Sequence, residues 1–298
     1  MTSPAPLPLS ELAAANTHVV TVVESASSSF SMGMKSLPPA ERLAMFAIYA
    51  FCREVDDIAD DGGTTEQRLA ALQLWRDEVE RLYAGTPTRL TSLALLEPVR
   101  RFKLPKEEFI ALIDGMEMDA RESMRAPDTA TLMLYCRRVA GTAGLLSLPV
   151  FGADEPEAPD FAIALSDALQ LTNILRDIAE DAERGRLYLP RELLLKYGID
   201  PDLSPKSVIR HPSLSKVFRD LVRVARSCYA EADKALVHCK RKRLRPALLM
   251  MAIYEAILNR LERAGWNPDA PPPKLSKAAK LWAALTRGIL RPAWRPST

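Results

Sequence analysis

The stretch QLTNILRDIAEDAERGRLYLP, residues 170–190, sets a row of oxygen-bearing side chains along one side of a helix. Asn173, Asp177 and Asp181 fall at i, i+4 and i+8, and Gln170 stands one turn earlier, so the four share a stripe. Arg176 and Glu180 lie beside it at the spacing of an ordinary i,i+4 ion pair. Carboxylates one turn apart repel each other. Magnesium is the natural partner for such a pair, because it takes one or two carboxylates and leaves its other positions to water and phosphate oxygens. The alternative is a solvated acidic face, and a second cluster decides between the two.

FCREVDDIADD, residues 51–61, is that second cluster, with four aspartates in six residues. PPAERLAMFAIYA before it opens a helix on prolines, and Gly62-Gly63 after it reads as a stop. The aspartates therefore sit at a helix C-terminus, where the macrodipole disfavours negative charge. Arg53, Asp56 and Asp60 lie at i, i+3 and i+7 on one face, with Asp57 and Asp61 to one side. Two such stripes facing each other across a cavity would hold several magnesium ions, and the ions a diphosphate.

Together with SSSF at 27–30 and YCRRVAGTAG at 135–144, the two clusters resemble the squalene/phytoene synthase family, over roughly residues 20–265. Within it, SSSFSMGMKSLPP and IDGMEMDA (113–120) are most similar to the bacterial members that make presqualene diphosphate for hopanoids. The resemblance implies an isoprenoid synthase helical bundle around a central cavity. It also implies the head-to-head (1′-1) condensation of two farnesyl diphosphates to presqualene diphosphate. In the matching positions Asp56, Asp60, Asn173, Asp177 and Asp181 would bind Mg2+, with Mn2+ as the other metal. Ser27, Ser29, Tyr49, Arg53, Gln170, Arg186 and Tyr188 would contact substrate, and Tyr135 and Arg53 would be catalytic. NADPH is not expected.

Each role has a plainer alternative. Ser27 and Ser29 are also good caps, and Tyr135 could be an ordinary half-buried tyrosine. Asp114, Glu117 and Asp119 in IDGMEMDA could serve as a base or simply form a charged outer helix face. Phe30, Met45, Phe46, Ile48, Leu134, Val139, Leu145, Leu146 and Leu171 would line a dry cavity or be core. Gly141 and Gly144 inside a helix cost about 1 kcal/mol each and need a reason, such as close passage of the substrate. Phytoene synthase, dehydrosqualene synthase and a noncatalytic assembly factor are the competing activities.

The 298 residues are 48% hydrophobic and dominated by helical periodicity, with no hairpin signal. The fold class is all-α, about ten helices in one domain over 1–298, with a loose N-terminus 1–9 and a basic tail 267–298. Breaks are expected near Ser27, Gly62, Gly85, Pro105, Pro127, Gly152, Pro190, Pro201 and Pro212. Cys52, Cys136, Cys228 and Cys239 have no CxxC spacing and read as buried thiols in a reducing cytosol.

No signal-peptide pattern and no spanning apolar run appears, so a cytoplasmic protein is expected, soluble or peripheral on the inner membrane face. Residues 240–298 carry 13 Lys+Arg against 3 Asp+Glu. KRKRLR (240–245) lacks the aromatic interleaving of a nucleic-acid site and reads as solvated helix-start charge. In 274–294, Leu275, Ala278, Trp282, Leu285 and Ile289 share a helical face amid positive charge. That face either docks on anionic membrane or packs on the body. Farnesyl diphosphate and downstream pathway enzymes are the partners such a role implies.

Overall fold

A computed structural model describes residues 9–26, 30–60, 63–121, 124–271, 273 and 275–283. The first helices are α1 (Leu9–Ser25), α2 (Phe30–Lys35), α3 (Pro39–Asp60), α4 (Thr65–Ala84), α5 (Leu90–Phe102), α6 (Lys106–Ala120) and α7 (Thr129–Cys136). A π turn, Arg137–Gly141, leads into α8 (Thr142–Phe151), followed by α9 (Ala158–Glu183), α10 (Arg191–Lys196) and α11 (Pro205–Ile209). The series ends with α12 (Leu214–Leu236), α13 (Arg245–Ala264) and α14 (Lys277–Ala283). The all-α expectation is met: among the described residues the only β pairing is an isolated bridge between Arg125 and Leu187.

The chain forms two compact units, one of residues 1–121 with 142–154, the other of 122–141 with 155–298. In the first, α3 buries Ala44, Ala47, Ile48, Phe51, Val55 and Ala59, one face at i, i+3, i+4 spacing. Phe51 meets Trp75 edge-on at 5.3 Å and Phe109 at 4.9 Å, which fixes α3 against α4 and α6. Burying that face leaves Tyr49, Arg53, Asp56 and Asp60 on the other.

The turn between α4 and α5 is tied down from inside. Glu78 is fully buried and accepts the backbone N–H groups of Thr88 at 2.7 Å and Arg89 at 2.9 Å. Burial alone would raise its pKa. The Arg89 and Thr88 N–H groups, the Thr88 hydroxyl and Arg81 outweigh burial and bring the pKa down to about 2.

In the second unit α9 and α12 pack side by side. Phe161, Leu165, Ala168, Leu171, Ile174, Leu175 and Ile178 form the buried side of α9. Gln170, Asn173, Asp177 and Asp181 keep partial contact with solvent. α14 packs on α13 and buries Ala283, whereas Trp282 is 70% exposed. Among the described residues no helix is long and apolar enough to cross a membrane.

Candidate active site

In the first unit the last turns of α3 carry the first acid stripe. Arg53 reaches Asp57 at 2.6 Å and Asp56 only at 3.8 Å, so its main partner is the aspartate at i+4, off the expected stripe. Its side chain is half exposed. Burial pushes the Asp56 pKa up to about 6, and repulsion from Asp60 adds to it; Arg53 works the other way, and Asp119 and Asp57 push further up.

Asp119, from the end of α6, is a further carboxylate whose charge is felt at Asp56. It is buried, not on an outer face. Its neighbours in IDGMEMDA are different: Arg76 on α4 grips Glu117 through Nε at 3.2 Å and Nη2 at 2.8 Å, and also binds Asp114, which ties α4 to α6. Tyr49 stands one turn before Arg53 and is half-buried. Ser27 and Ser29 lie outside the described residues.

In the second unit the second stripe is organised by a residue the spacing misassigns. Arg176 does not pair with Glu180. It forks onto its neighbour Asp177, Nε to Oδ1 at 2.8 Å and Nη2 to Oδ2 at 2.6 Å, while Glu180 takes Arg184 at 2.8 Å. The reason is tertiary: Tyr254 of α13, buried behind the stripe, hydrogen-bonds both Arg176 and Asn173. Nothing in the local pattern of LLMMAIYEAIL (248–258) marks Tyr254 as other than core. Asn173 donates to Gln170 Oε1 at 3.5 Å, and its own Oδ1 is buried with no hydrogen-bond partner.

After α9 the chain turns at Gly185, whose φ is 79°, and the N–H of Arg186 returns to the carbonyl of Asp181 at 2.8 Å. This places Tyr188 against Tyr135, ring centroids 5.3 Å apart and 19° from parallel. Both rings are buried, so Tyr135 is more enclosed than the half-buried tyrosine of the plainer reading. The space beside Gly141 is filled by the Arg137 side chain. Among the proposed cavity residues Ile48, Leu146 and Leu171 are core, Leu134 is exposed, and the Phe30 side chain lies outside the described residues.

A squalene/phytoene synthase family model matches residues 23–279. The chain belongs to the squalene/phytoene synthase family. Among its relatives, a presqualene diphosphate synthase of Zymomonas mobilis is 50% identical over 87% of this chain and 88% of its own length. A presqualene diphosphate synthase of Rhodopseudomonas palustris is 46% identical over 88% and 94%. Among solved structures, a squalene synthase from Alicyclobacillus acidocaldarius aligns with a TM-score of 0.77 at 29% identity, covering 88% of this chain and 98% of its own. A dehydrosqualene synthase aligns with a TM-score of 0.80 at 24% identity, covering 94% and 97%, and shares the fold.

The residues present in this family member fit a hard cation. The donors are carboxylate and amide oxygens, one of them, Asn173 Oδ1, is buried and unsatisfied, and Asp56 is strained by Asp60. Among the described residues no three His, Cys, Asp or Glu side chains converge as a metal cage. A cation held by pairs of these groups would complete its shell from water and phosphate oxygens.

Proposed function

We propose that this chain joins two farnesyl diphosphates head to head (1′-1) to presqualene diphosphate, releasing diphosphate, within squalene and hopanoid biosynthesis. The observation that carries the reading is the half-identical relative of that name, which matches over most of both chains. The retained acid stripes favour a catalyst over a noncatalytic assembly factor. One family model runs through both units, which supports reading them as one catalytic domain.

Mg2+, with Mn2+ as the alternative, is the metal of this reading, and when bound it neutralises charge developing on the leaving diphosphate. Asp56, Asp60, Asn173, Asp177 and Asp181 are its proposed ligands. Arg53, Tyr49, Gln170, Arg186, Tyr188, Ser27 and Ser29 are proposed to contact substrate. Arg176 fixes the direction of Asp177 through a two-point contact, and Tyr254 orients Arg176 and Asn173. Tyr135, buried against Tyr188, offers an aromatic face that can steer an allylic cation without supplying a nucleophile. NADPH is not part of this reading, and presqualene diphosphate is its proposed end product.

The tail reading adds a peripheral contact with anionic membrane through 274–294. It is supported by Trp282, which with Ala278 faces solvent while Ala283 is buried. Leu285 and Ile289 lie outside the described residues.

The test is Asp60→Ala and Asp177→Ala, each expected to abolish turnover of farnesyl diphosphate while circular dichroism and the melting curve stay those of a folded protein. Near-normal activity of either variant at saturating magnesium would remove that stripe from the reading.

A further inference from the structure

Among the described residues the single β bridge, Arg125 with Leu187, falls beside Tyr188, and around it two non-helical segments of the second unit run in parallel. The N–H of Ala126 donates to the carbonyl of Leu187, and that of Arg191 to the carbonyl of Pro127, each at 2.8 Å. Ala126, Pro127 and Leu187 are buried. Ala126 also takes a φ of 47°, left-handed backbone that a residue with a Cβ seldom adopts and that persists only where its surroundings enforce it.

Glu192, in the first turn of α10, closes this pairing. Its two carboxylate oxygens accept the Thr129 N–H at 3.1 and 3.0 Å, and one of them also accepts the Thr129 hydroxyl at 3.0 Å. Thr129 opens α7, so α7 is capped from another helix as well as locally by Asp128, which accepts the N–H of Thr131 at 2.6 Å. The Thr129 N–H holds the Glu192 carboxyl below its usual range. α7 has only eight residues, too few to hold a helix unaided, and it carries Tyr135 one residue before its end. Leu187 immediately precedes Tyr188. Both members of the stacked tyrosine pair are therefore tied to one pairing, Tyr135 through Thr129 and Tyr188 through Leu187.

We propose that Glu192 is a positioning residue: by capping α7 across the pairing of 125–127 with 187–191, it sets the register in which Tyr135 meets Tyr188. Its effect on turnover rests on the role given to Tyr135 in the proposed reaction, whereas its effect on the backbone and on the rings does not.

Glu192→Ala, Glu192→Gln, Ala126→Val and Ala126→Gly are compared with the parent in the full chain. Glu192 and Thr129 face solvent, so the expected effects are on the scale of one lost helix cap. Without substrate, amide hydrogen exchange at Ala126 and Arg191 should quicken about fivefold in Glu192→Ala and less than about twofold in Glu192→Gln, whose amide oxygen still accepts. At Arg191 it should quicken at least as much in Ala126→Val and stay unchanged in Ala126→Gly, since glycine takes positive φ freely. Nitration by tetranitromethane, read by peptide mass spectrometry, should be about fivefold faster at Tyr135 and Tyr188 in Glu192→Ala and unchanged at Tyr229, a buried ring on α12. With farnesyl diphosphate Glu192→Ala should lose about fivefold in kcat with KM within about twofold, and Glu192→Gln should recover most of the loss. Unchanged exchange or nitration in Glu192→Ala, or an equal rise at Tyr229, would overturn the register role. Faster nitration with kcat untouched would overturn its bearing on the reaction. If the parent turns over no farnesyl diphosphate, the proposed function falls, while exchange and nitration still decide whether Glu192 sets the stack.

Discussion

Replacing Asp56 by asparagine should make the metal-free protein more stable. Burial and Asp60 raise the Asp56 pKa from 3.8 to about 6, so the folded state prefers the protonated acid. In a dry site that preference would cost the ionised protein about 3 kcal/mol at neutral pH. The side chain is 47% exposed, and solvent screening reduces the cost to about 1 to 1.5 kcal/mol. In a chain of 298 residues this corresponds to about 2 °C in Tm. The gain should be absent below pH 3.8, where the acid is protonated in both states, and complete above about 6. Differential scanning calorimetry in metal-free buffer measures it. With magnesium and inorganic diphosphate added at about 100 times Kd, the parent should gain about 2.7 kcal/mol, or roughly 4 °C, and Asp56→Asn less than half of that. A lower Tm for Asp56→Asn in metal-free buffer at neutral pH, or an equal shift with ligand, would refute the reasoning.

Glu78 gives the opposite pH sign. Its pKa is lowered to about 2, so its contribution is complete above 4.5 and is lost as pH falls through about 2. Because its partner Arg81 is 41% exposed, we expect about 2 kcal/mol at neutral pH. Urea titrations of Glu78→Gln and the parent should converge near pH 2, and a gap independent of pH would contradict the assignment. Full-length protein should float with anionic liposomes and a 1–270 truncation should not; equal flotation would end the membrane reading.

What the sequence made legible is what is decided locally. Gly85 and Gly152 close helices and Pro105 and Pro190 precede them, because φ preference and a missing N–H act within one turn. The acid stripes follow from periodicity alone. Spacing pairs Arg176 with Glu180, the i,i+4 default of an isolated helix, but in the fold it forks onto Asp177 and also hydrogen-bonds Tyr254 of α13. Tyr254 itself sits in an apolar run, and only packing of α13 reveals its polar end. Arg53 leans to Asp57 for a local reason that spacing did permit, the i+4 reach. The π turn has no sequence signal beyond an unexplained glycine, and Asp114, Glu117 and Asp119 look alike until Arg76 separates the first two from the third.

The central claim meets its most direct test in the products made from farnesyl diphosphate. Purified protein is incubated with farnesyl diphosphate and magnesium, with and without NADPH, and the products are identified by mass spectrometry. The account predicts presqualene diphosphate and inorganic diphosphate in both incubations, in equal amounts. Squalene with NADPH, or dehydrosqualene without it, would contradict it.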